Sequence, residues 1–125
     1  MTVFDSNTVL RYILQDNEEM ADTVETKITR EDCFIPFEVI SEMVFVLSKV
    51  YQIPRRDISE VIIDILKLET VQTVNYAVAE KGLTAYAGTK LDFVDCLMIG
   101  YQCNGYPVFT FDKDLKKHLR QQEML

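Results

Sequence analysis

Short apolar runs alternate with helix-patterned segments along the whole chain, and this alternation most narrows what it can fold into. Residues 2–5 around Val3-Phe4, Cys33-Phe34-Ile35, Val71-Gln72-Thr73-Val74 and residues 108–111 (Val108-Phe109-Thr110-Phe111) each read as a short strand. Between them, apolar residues recur at helical spacing. Val9, Leu10, Ile13 and Leu14 predict a helix over 7–15, and Met20, Val24 and Ile28 a narrow-striped surface helix over 18–30. Residues 37–51 are apolar around nearly the whole circumference, which predicts a central helix or one at a dimer interface. Ile53-Pro54 breaks that helix, and Asp57 or Ser59 can cap the next, which carries Ile58, Val61, Ile62, Ile65, Leu66 and Leu68. Asn75 can cap a helix stopped near Gly88, Asp92 one from Phe93 to Asn104, and residues 114–122 close the chain as a helix. Strands separated by helices predict an α/β protein with a parallel sheet covered on both faces.

Four acidic residues punctuate this pattern. Asp5 ends the apolar run at Phe4, and Asp112 ends the run at Phe111. Glu42 interrupts Val39-Ile40-Ser41-Glu42-Met43-Val44, and Asp95 sits between Phe93-Val94 and Cys96-Leu97. No Lys or Arg lies within three residues of Glu42 or Asp95. Burying a lone carboxylate is costly, so such groups are normally paired or bound to metal. In open α/β sheets, ligands bind beyond the carboxyl ends of the strands, where Asp5 and Asp112 fall. Oxygen-only donors select hard cations, magnesium or manganese rather than zinc, and such a site suits phosphoryl chemistry. Each residue also has a plainer reading. Asp5 or Asn7 can cap the first helix, Asp112 can cap the last, Asp95 can face a helix dipole, and Glu42 can pair with a distant cation.

A chain of 125 residues predicts one domain, 1–125, with ordinary globular composition. No apolar run approaches the ~18 residues of a membrane span. Met1-Thr2-Val3-Phe4-Asp5 lacks the basic leader of a signal peptide, which makes the cytoplasm the default location. Cys33, Cys96 and Cys103 lack metal-site or disulfide spacing and read as buried reduced thiols. His118 is the only histidine and lies in the polar stretch Lys116-Lys117-His118-Leu119-Arg120, which leaves little for a histidine-based triad. The net charge of −7 argues against nucleic acid when taken alone. Carboxylates that face a cation lessen that objection. Basic residues also cluster locally, at Arg55-Arg56 and at Lys113, Lys116, Lys117 and Arg120; a solvated basic face is the plain reading of both.

The segments Val3-Phe4-Asp5-Ser6-Asn7, Ile40-Ser41-Glu42-Met43-Val44-Phe45-Val46-Leu47, Leu91-Asp92-Phe93-Val94-Asp95-Cys96-Leu97 and Val108-Phe109-Thr110-Phe111-Asp112-Lys113-Asp114-Leu115 together resemble the PIN-domain family, and within it the VapC-like ribonuclease toxins of toxin–antitoxin pairs. The resemblance implies a three-layer α/β/α fold with a mainly parallel sheet of four or five strands. It implies that Asp5, Glu42, Asp95 and Asp112 hold one or two Mg2+ or Mn2+ ions, with Asp114 assisting through water and Asn7 and Thr110 supporting by hydrogen bonds. A metal-activated water would attack an RNA phosphodiester in line, leaving a 5′-phosphate and a 3′-hydroxyl. It further implies a homodimer silenced by a small antitoxin encoded nearby, whose apolar helix fills a groove bordered by Arg11-Tyr12-Ile13-Leu14. The stretch after the final helix, Leu119 to Leu125, leaves little room for the family's usual last strand. Other readings stay open: a PIN nuclease in RNA processing or acting on DNA, and a non-catalytic module that keeps the fold.

Overall fold

A computed structural model describes residues 1–123, with side chains through Gln122. The chain divides into two compact units, Met1–Val74 and Asn75–Leu125.

The first unit holds β1 (Thr2–Val3), α1 (Ser6–Leu14), α2 (Glu18–Arg30), β2 (Cys33–Phe34), α3 (Phe37–Lys49), α4 (Arg55–Leu66) and β3 (Val71–Gln72). Its strands pair in the order β1-β2-β3, all parallel, with Thr2 opposite Cys33 and Cys33 opposite Val71. Backbone bonds beyond the strand ends extend the ladder: Phe4 N–H donates to the Phe34 carbonyl at 3.0 Å and Ile35 N–H to that of Gln72 at 2.8 Å. Ile28, Ile35, Ile40, Met43, Leu47, Ile58 and Ile62 are fully buried. The predicted parallel α/β arrangement therefore holds here, in strands shorter than the apolar runs.

Local chemistry sets the helix ends. Asn17 caps α2 by accepting from Met20 N–H at 3.0 Å, with Glu18 and Glu19 in the first turn and Lys27 and Arg30 in the last, as the helix dipole favours. Helix α4 starts at Arg55, directly after Pro54, so neither Asp57 nor Ser59 caps it. Pro54 has no N–H to leave unpaired and holds φ at −58°, which allows this earlier start. Ser59 is instead buried inside the helix.

Helix α3 corrects one expectation. Ile40, Met43, Val44 and Leu47 are buried, but Glu38, Glu42, Phe45 and Lys49 are exposed. These positions, spaced by four, three and four, form one open stripe. An apolar circumference in the sequence thus coexists with a polar face wide enough to keep Glu42 in water.

The second unit holds α5 (Tyr76–Gly88), α6 (Phe93–Cys103) and α7 (Lys113–Glu123). Asn75 caps α5 as predicted, accepting from Val78 N–H at 3.1 Å. Helices α5 and α6 meet at Gly82 and Gly100. A Cβ on Gly100 would lie 2.3 Å from the Val78 carbonyl oxygen, so only glycine permits this backbone approach. Ile99 of α6 packs with Leu115 and Leu119 of α7, flanked by Leu91, Met98 and Val108. Gly105, at φ +89°, makes the turn after α6.

The expected strand at 108–111 is absent among the described residues, and the sheet has three strands rather than four or five. The physical reason is a missing partner. The three strands belong to Met1–Val74, and the unit that contains Val108–Phe111 supplies no strand edge of its own. The segment keeps the alternation of a strand: Val108 and Thr110 are half-buried, while Phe109 and Phe111 are exposed. Met124 and Leu125, where any last strand would continue, lie outside the described residues.

Candidate metal centre

Asp5 follows β1 and is the N-cap of α1. Its Oδ1 accepts from Thr8 N–H at 2.8 Å, and its extended backbone (φ −82°, ψ 171°) is that of a cap. Hydrogen bonds from the Thr8 side chain and then its backbone N–H hold the Asp5 carboxyl below the usual range, because they favour the charged form. Asp112 does the same for α7. Its Oδ1 accepts from Leu115 N–H at 2.8 Å, and its own N–H donates to Thr110 Oγ1 at 3.1 Å. The Asp112 cap uses one carboxylate oxygen and leaves the other for a further partner. The plain capping readings of Asp5 and Asp112 are therefore correct.

Asp95 sits in the first turn of α6 and is half-buried. Burial pushes its carboxyl upward, and the charges of Asp112 and Asp92 push it further in the same direction. Within the second unit, Asp95 therefore lies within reach of the charges of Asp112 and Asp92. Asp92 is the residue that sequence reading undervalued. It stands at the N-cap position of α6 without making a side-chain cap hydrogen bond, so its carboxylate is not committed to the helix. The signal was the Asp92-Phe93-Val94-Asp95 spacing, which sets two carboxylates at one helix start.

Glu42 lies mid-way along the exposed stripe of α3. Asp5, Glu42 and Asp112 are all exposed, so the argument from burial applies only to Asp95. Caps sit where helices open to water, and Glu42 sits on the one face of α3 that packing leaves free.

Two supporting positions are accounted for. Asn7 Oδ1 accepts from the Arg11 guanidinium at 3.2 Å, and the same guanidinium pairs with Asp16 at 2.6 Å. Thr110 braces the Asp112 backbone, as noted. Asp114 is exposed in the first turn of α7, and its carbonyl lies 2.8 Å from His118 Nδ1. Of the cysteines, Cys33 and Cys96 are buried and reduced as expected, but Cys103 is exposed. It stands at the last residue of α6, where the helix leaves the core, and its Sγ is 3.4 Å from Gln122 Oε1.

Asp5 and Glu42 belong to the first unit, and Asp95 and Asp112 to the second. Among the described residues, no three His, Cys, Asp or Glu side chains gather into a metal-binding group. The available donors are carboxylate oxygens, and the mutual repulsion at Asp95 is what a hard cation relieves.

The PIN domain sequence model matches residues 2–119. This chain belongs to the PIN-domain family. The match spans both units and includes every carboxylate described above. A VapC ribonuclease of Aquifex aeolicus (strain VF5) is 33% identical over 95 residues, covering 72% of this chain and 70% of that protein. No solved structure matches significantly. Among the described residues of this PIN-family chain, no helix is long and apolar enough to cross a membrane.

Proposed function

We propose that this PIN-family chain is a divalent-metal-dependent endoribonuclease, the toxin of a toxin–antitoxin pair, with both units acting as one domain, 1–125. The observation that carries the reading is the half-buried Asp95 in the first turn of α6, within reach of the charge of Asp112 at the start of α7. There Asp112 and Asp92 push the half-buried Asp95 upward. Such an arrangement costs stability unless a cation or a reaction uses it. Family membership and the similarity to a VapC ribonuclease supply the class of chemistry.

In this reading Asp5, Glu42, Asp95 and Asp112 hold one or two Mg2+ or Mn2+ ions, with Asp114 contributing through water. When bound, the ion polarises a phosphoryl oxygen and lowers the pKa of a water that attacks phosphorus. The chain's own contribution is orientation. The hydrogen bond from Thr8 N–H fixes the Asp5 carboxylate, and that from Leu115 N–H fixes Asp112. The Thr110 hydroxyl holds the backbone of Asp112. Helix α6 fixes Asp92 and Asp95 one turn apart. Pinned carboxylates lose little freedom when a ligand arrives, and this preorganisation is what a catalytic site requires.

The remaining elements of the proposal have their own support. A groove of about 500 Å³ in the first unit is lined by Tyr12, Ile13, Val61, Ile65 and Leu68 together with Glu25 and Asp64. It suits the apolar helix of a small antitoxin carrying basic flanks. Exposed Phe45, Val50 and Tyr51 at the end of α3 suit a homodimer contact. The proposed location is the cytoplasm.

The test is cleavage of RNA by the purified chain in magnesium or manganese, with and without chelator. Wild type should cut and Asp95→Asn should not. Undiminished cleavage by Asp95→Asn, or by wild type in excess chelator, overturns the assignment.

A further inference from the structure

Helix α7 carries a basic stripe that the carboxylate site does not explain. Lys113, Lys116, Lys117 and Arg120 fall at positions i, i+3, i+4 and i+7, one face of a helix. Leu115 and Leu119 turn to the opposite side, where they pack with Ile99. Three cations elsewhere in the chain are neutralised by neighbours: Arg11 by Asp16 at 2.6 Å, Lys27 by Glu31 at 3.1 Å and Arg56 by Glu60 at 3.3 Å. Among the described residues, none of the four stripe cations is in an ion pair. Lys116 instead stands 5.7 Å from the centre of the Phe111 ring, beside a groove of about 310 Å³ bounded also by Gln102 and Arg120.

In a chain of net charge −7, four cations on one helix face make a locally basic surface. At 0.1 M salt a charge is felt over only about 10 Å, so a polyanion responds to this stripe rather than to the net charge. From Lys113 to Arg120 the stripe runs about 10 Å, at ~1.5 Å per residue. That is about three nucleotide steps of a stacked strand at ~3.4 Å each. The stripe begins one residue after Asp112.

We propose that the α7 stripe is the track that holds the RNA backbone and delivers it to the carboxylates at the helix start. The proposal rests on the ribonuclease reading and names the surface by which that site takes its substrate. The cations hold phosphates along the helix. Asp112 and Asp114 at its N-terminus repel them, so the strand approaches the helix start only when a cation offsets that repulsion. Lys116, Lys117 and Arg120 are thus positioning residues, not catalytic ones.

The experiment compares full-length wild type with the triple variant Lys116→Ala/Lys117→Ala/Arg120→Ala. It measures binding of a short labelled single-stranded RNA in calcium as salt is raised, alongside cleavage in magnesium. Each lost phosphate contact on a single strand lowers the slope of log K against log salt by ~0.7, so the variant's slope should fall by about two. Between about 50 and 200 mM salt, wild type should then lose about twentyfold more affinity than the variant. Cleavage at saturating RNA should be retained, with the loss confined to KM. A second variant, Lys116→Arg/Lys117→Arg/Arg120→Lys, keeps the charge and should bind like wild type. That outcome separates lost charge from lost folding. If wild type cleaves RNA and the alanine variant keeps its affinity and salt slope, the track is refuted while the ribonuclease reading stands. If wild type cleaves no RNA in either metal, both fall together.

Discussion

Asp112 has two duties in this reading, helix cap and metal ligand, and two substitutions at that position separate them. Asp112→Ala removes the acceptor that binds Leu115 N–H at 2.8 Å, leaving an orphan donor at the start of α7. Loss of a cap of this kind costs about 0.5–2 kcal/mol. Asp112→Asn keeps a capping oxygen of equal rank and removes only the charge, whose interaction with the helix dipole contributes about 0.3–1 kcal/mol. A compensating effect acts on Asp95, whose carboxyl burial raises first and Asp112 raises further. A carboxyl raised in the folded state contributes stability only at low pH, and the contribution is lost as pH rises through its folded value. The ionised form of Asp95 is therefore a liability, and removing the Asp112 charge lessens it. The Asn variant should unfold in urea within about 0.5 kcal/mol of wild type, and the Ala variant about 1–2 kcal/mol below it. Carbon-detected NMR should show Asp95 titrating lower in both variants, though still above an ordinary aspartate because burial remains. RNA cleavage in magnesium should be lost in both. If Asn destabilises as much as Ala, Asp112 is not a cap whose oxygen matters. If the Asn variant cleaves like wild type, Asp112 is not a ligand.

Two further outcomes test the packing and the electrostatics away from the site. Gly100→Ala would place a Cβ 2.3 Å from the Val78 carbonyl, so α5 and α6 must separate. Overpacking of this kind costs about 1–3 kcal/mol, more than the ~1 kcal/mol alanine gains over glycine in a helix, and a urea melt that finds the variant equal to or more stable than wild type refutes the close approach. Tyr76 donates to Glu80 Oε2 at 2.7 Å, and this hydrogen bond pushes its phenol up to about 12. The pair's contribution is whole below the ordinary tyrosine pKa and disappears as pH rises from 10 towards 12. Absorbance titration should therefore show one tyrosine ionising late, and Glu80→Gln should bring it earlier; an unchanged titration in that variant refutes the pairing.

What was legible in the sequence was what neighbours along the chain decide. The caps Asn75 and Asp5 follow from a side-chain oxygen three residues before an N–H that needs it, a wholly local event. The stop of α6 at Asn104-Gly105 is local too, set by Gly105 at φ +89°. Burial was harder to read. Apolar neighbours around Glu42 predicted an enclosed carboxylate, but helical geometry groups it with Glu38 and Lys49, not with Val44 beside it in the chain. The strand at 108–111 failed for a different reason. Its alternation is real, yet a strand exists only by hydrogen bonding to another, and no residue within the segment encodes where that partner is.

The same division explains the site. The charges of Asp112 and Asp92 reach Asp95, and α6 and α7 share the Ile99–Leu115–Leu119 contact, a packing written in the apolar spacing of both helices. A helix start is where the chain most readily places a carboxylate: the cap needs an acceptor there, and the dipole favours negative charge. Two helix starts brought together by apolar packing therefore concentrate negative charge as a by-product of folding. Only a cation or a chemical task makes that concentration favourable. The caps in this chain are thus not a rival to the metal reading. A capping carboxylate is held in place at its own helix start, where a ligand can still reach it.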